Sequence, residues 1–138
     1  MSANGVEPRE GSVDLTALCL LSHFIGDLHQ PLHVGRAEDR GGNTVQVEFD
    51  GREMSLHQLW DGQLMGSRGL PSSEYARSLQ PLVELGRDAW SGGRLEDWAD
   101  ESRRLRPWVY DFDARRKVPR ISRRYAEAGQ QVTALRLA

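Results

Sequence analysis

Two His-x-x-x-Asp pairs, His23/Asp27 and His57/Asp61, flank a further histidine, His33. Residues four apart on a helix share a face one turn from each other, so each pair presents an imidazole and a carboxylate together. One such pair supplies half of a tetrahedral zinc site. Both pairs with His33 make five donors, enough for one closed triad and part of a second site. All four histidines, His29 included, fall between positions 23 and 57, and none follows Asp61. A single pair of this kind reads as a surface hydrogen bond or ion pair. Two pairs around His33 read as a metal centre. His29, two residues after Asp27, faces elsewhere on the helix and is expected to support the site or pack. Asn43 closes a Gly41-Gly42-Asn43 run that either makes a tight turn or offers donors to a phosphate oxygen.

The elements that carry these residues follow from punctuation and periodicity. From Asp14, a plausible N-cap, apolar residues recur at Leu15, Leu18, Leu21, Phe24, Ile25 and Leu28, which predicts a helix ending near Gln30 because Pro31 cannot continue it. Residues 31–43 read as a loop. Val45, Val47 and Phe49 alternate with polar residues ahead of Asp50-Gly51, a strong hairpin signal, with a return strand from Arg52 to Ser55 or Leu56. A helix begins at His57 and ends around Gly66, Gly69 or Pro71. Further helices are expected over 73–90, 93–107 and 118–137, with Ser72 or Ser73 as a cap and Pro107 as a limit. Trp60 lies on a different helical face from His57 and Asp61, and Trp60, Trp90, Trp98 and Trp108 are expected at helix-packing positions. The fold class is mostly α with one small β-hairpin.

Composition fits one domain: 138 residues, 38% hydrophobic, 28% charged, formal net charge −2. Charge is uneven, with nine basic side chains among residues 101–124 against three acidic ones. Such a stretch either meets phosphates or forms a solvated face paired with the acidic remainder, and the second is the usual outcome. Cys19 stands alone in an apolar run, so no intrachain disulfide forms and the thiol is expected to be buried. No run is long enough to span a membrane, and the first residues lack the pattern of a signal peptide. Residues 1–13 read as a disordered lead-in. A phosphate-cradling Gly-rich loop with Lys, a CxxC motif and a Gly-x-Ser-x-Gly elbow are all missing, and Ser22 cannot face the adjacent His23.

Three motifs in order resemble the S1/P1 nuclease family: His23-Phe24-Ile25-Gly26-Asp27-Leu28-His29-Gln30-Pro31-Leu32-His33-Val34-Gly35, then Asp39-Arg40-Gly41-Gly42-Asn43, then Leu56-His57-Gln58-Leu59-Trp60-Asp61. Looser echoes follow at Trp98-Ala99-Asp100-Glu101-Ser102 and in the last helix. The resemblance implies the mostly helical fold shared with zinc phospholipase C, with three zinc ions at the base of a cleft. By that resemblance His23 and Asp27 serve a pair of zinc ions, Asp27 bridging them as the catalytic carboxylate, and His33, His57 and Asp61 hold the remaining zinc. It implies hydrolysis of single-stranded DNA or RNA to 5′-phosphorylated nucleotides, by in-line attack of a metal-acidified water.

The family's pattern also includes an N-terminal Trp, two His and an Asp upstream, whereas these residues hold no His before His23 and no Trp before Trp60. Residues 14–138 are therefore expected to form a partial domain, truncated at its N-terminus, holding one complete zinc triad and part of a second site. That implies an impaired endonuclease, or alternatively a non-catalytic zinc-binding or nucleic-acid-binding remnant. Another phosphoesterase of the same fold, such as a phospholipase C, fits the motifs less closely. Single-stranded nucleic acid is the expected partner, a membrane is not, and exposed core could drive self-association. The family resemblance suggests a secreted or periplasmic protein.

Overall fold

Asp14 opens the first helix, α1 (Leu15–His29), by accepting from the backbone N–H groups of Thr16 at 2.9 Å and Ala17 at 3.3 Å. The helix stops where Gln30 turns extended ahead of Pro31. The computed structural model describes residues 14–90 and 92–138, so the expected lead-in over 1–13 lies outside the described residues. After a loop, β1 (Gln46–Phe49) and β2 (Arg52–Ser55) pair antiparallel with Val47 opposite Met54. Asp50 and Gly51 both take positive φ, 49° and 75°, as a two-residue hairpin turn requires.

Ser55 ends the hairpin and starts α2. Its Oγ accepts from Gln58 N at 3.1 Å, and the Gln58 carboxamide accepts from Ser55 N at 3.0 Å, a reciprocal cap. Helix α2 runs through Leu56–Gln58, a wide π turn at Leu59–Gln63, and Leu64–Gly66. Leu64 N donates to Leu59 O, five residues back, which marks the widened turn. Three longer helices follow, α3 (Ser72–Trp90), α4 (Leu95–Val109) and α5 (Arg123–Leu137).

The main core gathers around α2. Leu56, Leu59, Trp60 and Leu64 are buried with Leu32, Val47, Val109, Ile121 and Tyr125. Trp108 stacks parallel on Tyr125 at 5.3 Å between centroids, and Trp60 meets Trp108 edge-on at 5.7 Å. A smaller cluster, Tyr75 and Leu79 against Ala134, joins α3 to α5. None of the described helices is long and apolar enough to cross a membrane.

Several local expectations change. Pro107 does not end α4, which continues to Val109. The carbonyl that Pro107 cannot serve, Arg103 O, instead accepts from Arg106 Nε at 3.4 Å. Residues 119–121 are extended rather than helical: Pro119 O and Ile121 N bond Glu48 N and O, both at 2.8 Å, beside β1. Only at Ser122, whose Oγ accepts from Tyr125 N, does α5 begin. Ser72 is already in the first turn of α3, where Pro71 O accepts from Glu74 N and Tyr75 N.

Cys19 is exposed rather than buried, and Trp90, though its ring lies against Gly86, remains 42% exposed. Cys19 belongs to the first ten residues of α1, which meet no covering element among the described residues. Leu15, Leu18, Leu20, Leu21 and Phe24 are exposed there as well.

Tyr125 carries the best-defined polar contact in the core. Burial pushes its hydroxyl pKa up, so it stays protonated, donating to Val109 O at 2.5 Å and accepting from Trp60 Nε1 at 3.0 Å. Val109 ends α4, where its carbonyl has no partner within the helix. Tyr125→Phe keeps the ring stack but strands both groups, at about 1–3 kcal/mol each. Urea unfolding of this variant is expected to show a clearly lower midpoint at unchanged m-value, and an unchanged midpoint would refute the assignment.

Candidate metal centre

The last turn of α1 is pinned from behind. Ser102 Oγ donates to Leu28 O at 2.6 Å, and Arg136 Nε reaches His29 O at 3.4 Å. Arg136 also spans Ser102 Oγ, Trp98 O and Glu101, at 2.9, 3.1 and 2.6 Å. These contacts satisfy carbonyls the helix end leaves open and fix where the chain leaves α1. Gln30 then accepts from Leu32 N through Oε1, and Leu32 sinks into the core at 1% exposure. His33 follows directly.

The loop returns on itself. Gly35 N donates to Leu32 O at 3.0 Å, and a Cβ on either Gly35 or Gly41 would collide with that same carbonyl. Gly41 also has φ of 66°, which disfavours any side chain. Asp39 holds the turn, accepting from Gly42 N at 2.9 Å and from the Tyr110 hydroxyl at 2.6 Å. Burial, then the hydrogen bond to Asp39, pushes the Tyr110 pKa up and keeps it a donor.

The result is to aim Gly41 O at His57 Nδ1, 2.8 Å away. A carbonyl only accepts, so Nδ1 carries the proton and Nε2 presents its lone pair to the site.

The five residues of the two pairs and His33 form one chain of contacts. His23 Nε2 lies 3.3 Å from Asp27 Oδ2, and Asp27 Oδ1 lies 3.5 Å from His33 Nδ1. His33 Nε2 is 3.0 Å from Asp61 Oδ1, and His57 Nε2 is 3.1 Å from Asp61 Oδ2. Donor atoms of His33, His57 and Asp61 all lie within 4.8 Å of one another. Zinc bonds of about 2.0–2.1 Å at tetrahedral angles put donors roughly 3.3 Å apart, so this set fits a zinc ion with a fourth position open. Asp61 lies inside the π turn and His57 just before it, yet both side chains reach the same point.

Burial raises the Asp61 pKa, but hydrogen bonds from Gln30 and His33 and the electrostatic pull of the His57 and His33 imidazoles outweigh it. They hold the carboxyl below its usual range, as an ionised donor. Gln30 Nε2 donates to Asp61 Oδ1 at 2.7 Å.

His29 points away from this cluster, with Nδ1 on Ile25 O at 2.7 Å and its ring 5.4 Å from Trp98. Asn43 is exposed and donates to Arg40 O at 2.8 Å, inside the turn. Sequence reasoning passed over Gln30 and Asp39. The order Asp39-Arg40-Gly41-Gly42 is a turn signal that could have marked Asp39. Nothing local marks the reach of Gln30 to Asp61.

If the loop sets the His57 ring, Asp39→Ala should loosen zinc at the triad by up to about tenfold, because Asp39 holds the turn that aims Gly41 O, the hydrogen-bonding partner of His57. Competition against a zinc-chelating dye measures this, with circular dichroism confirming the fold. Unchanged zinc affinity would show that the loop does not orient His57.

A family model described as S1/P1 Nuclease matches residues 5–138. Among curated relatives, Endonuclease 2 of Arabidopsis thaliana is 39% identical over 88 residues, covering 64% of this chain and 28% of the relative. Nuclease S1 of Aspergillus oryzae is 36% identical over 98 residues, covering 64% of this chain and 34% of the relative. Nuclease P1 of Penicillium citrinum is 43% identical over 75 residues, or 51% of this chain and 27% of the relative. The matched part of the chain thus spans about a quarter to a third of each relative's length. With the match to the family model running over nearly all of its residues, the chain belongs to the S1/P1 nuclease family.

Proposed function

We propose that these residues form a zinc-binding part of an S1/P1-type phosphodiesterase that hydrolyses single-stranded DNA or RNA to 5′-phosphorylated nucleotides. The observation that carries this reading is the His33/His57/Asp61 triad, with His57 held in one tautomer by Gly41 O. Two neutral imidazoles and a carboxylate with an open fourth position suit a hydrolytic zinc ion. The chemistry such an ion supplies is Lewis-acid polarisation of a phosphoryl oxygen and acidification of water.

Each residue of the chain has a distinct part. Asp61 neutralises charge at the triad while Gln30 fixes its plane. His33 connects the two halves of the cluster, with one ring nitrogen toward Asp61 and the other toward Asp27. Asp27 offers one oxygen to each neighbour, as a bridging carboxylate does, and is the catalytic carboxylate of this reading. His23 and Asp27 are the donors these residues supply to a second metal position. The cluster faces solvent, with the Asp61 side chain 44% exposed, so a flexible single strand can bring a phosphodiester up to it.

The 138-residue chain by itself is expected to take up one zinc tightly, because a two-donor set holds metal weakly. Metal analysis after gel filtration should give one zinc per chain, falling to near zero in His57→Ala, and a wild-type value well below one would overturn the triad. The same chain should cleave a labelled single-stranded oligonucleotide slowly or not at all. Fast cleavage abolished by Asp27→Ala would show instead that His23 and Asp27 suffice, and would replace the impaired reading with a competent one.

A further inference from the structure

We propose that the cleft between residues 35–39 and α4 is a phosphate-binding site that holds the backbone of a nucleic-acid strand beside the metal centre. This rests on the reading that the substrate is a nucleic acid. The cleft is open, about 760 Å³, and its charged lining is Arg36, Glu38, Asp39, Arg103 and Arg106.

Among the described residues, two of its three arginines lack a carboxylate partner, unlike Arg115 and Arg120 elsewhere in the chain. Arg115 and Arg120 are spent on Asp113 and Glu48, at 2.6 and 2.8 Å. Arg36 and Arg106 have no carboxylate within ion-pair distance among the described residues. Arg36 lies 4.5 Å over the Tyr110 ring, a stacking that fixes the plane of its fork and leaves the N–H edge free. Arg106 is held by Gly35 O through Nη1 at 3.0 Å and by Arg103 O through Nε, so Nη2 remains open. Arg103 uses one nitrogen on Asp100.

Against the three arginines stand two carboxylates, Glu38 and Asp39, the second of them turned into the loop by its bonds from Tyr110 and Gly42 N. Fixed arginine forks with open edges match phosphate oxygens, and a series of them matches a phosphodiester chain better than a lone anion.

Position favours the same ligand. Arg106 holds Gly35, Gly35 abuts Gly41, and Gly41 O holds His57. Cleft and triad are thus two ends of one loop, and a strand engaged at the triad has neighbouring phosphates to place.

The test uses the chain stripped of metal with EDTA, so that binding is read without cleavage. Fluorescence anisotropy of a labelled oligothymidylate of about 12 nucleotides is followed from 50 to 200 mM salt. Replacing two phosphate contacts, Arg36→Gln with Arg103→Gln, should weaken binding about tenfold and make the salt slope shallower by about 1.4. Arg115→Gln with Arg120→Gln, outside the cleft, should change neither. Equal losses from both pairs, or none from the cleft pair, would overturn the site. Inorganic phosphate that binds as tightly as the oligonucleotide would overturn the strand as its ligand. The two readings fail separately. A chain that binds oligonucleotide through the cleft but takes up no zinc keeps the cleft and loses the metal centre. One that takes up zinc and binds oligonucleotide equally well without the arginines loses the cleft alone.

Discussion

The carbonyl of Leu32 sets the geometry of the His33/His57/Asp61 group. Gly35 and Gly41 close over it, and neither position has room for a side chain. Leu32 is itself locked into the core, so the crossing is referenced to the most rigid part of the molecule. One residue beyond it stands His33, and the far strand of the crossing carries the carbonyl that orients His57. Ligands from two distant elements therefore share a single backbone reference. A metal site needs its donors held to within a fraction of an ångström, and rigid backbone does this better than side-chain packing alone.

The second support is the shared anchor of α1, α4 and α5. Ser102 and Arg136 answer carbonyls at the end of α1 that a helix terminus leaves without partners. Arg136 is mostly buried, with a 16% exposed side chain, and its charge is met by Glu101 and by carbonyl and hydroxyl oxygens. The helix carrying His23 and Asp27 is in this way tied to two helices that contribute nothing to the cluster. The aromatic core of Trp60, Trp108 and Tyr125 serves the other half, seating α2 beneath the triad.

Much of this arrangement is legible in the order of residues. Asp14 and Pro31 bracket α1, Asp50-Gly51 turns the hairpin, and two His-x-x-x-Asp spacings point to the cluster, because each of these signals acts within a few residues. What escapes is decided at long range. Pro107 is tolerated because Arg106 serves the abandoned carbonyl, and residues 119–121 extend because Glu48 offers a backbone partner. The π turn in α2 has no compositional mark beyond Gly62, and the link from Gln30 to Asp61 joins residues thirty-one apart. Cys19 and Trp90 show the limit of hydropathy: apolar type predicts a wish for burial, and only neighbours grant it.

The first turns of α1 are apolar on every side, with Leu15, Ala17, Leu18, Cys19, Leu20, Leu21 and Phe24 interrupted only by Thr16, Ser22 and His23. A helix of that character is suited to being surrounded rather than to floating on a surface. His23 stands at the end of that stretch and Asp27 one turn later, where the anchored part begins. An element covering those turns would suppress fraying of the helix beneath His23, and a cation held by His23 and Asp27 would do the same from the other side. Thermodynamic reciprocity would then make each raise the affinity of the other by the same factor. Burial of a hydrophobic helix and capture of an ion would be two readings of one equilibrium.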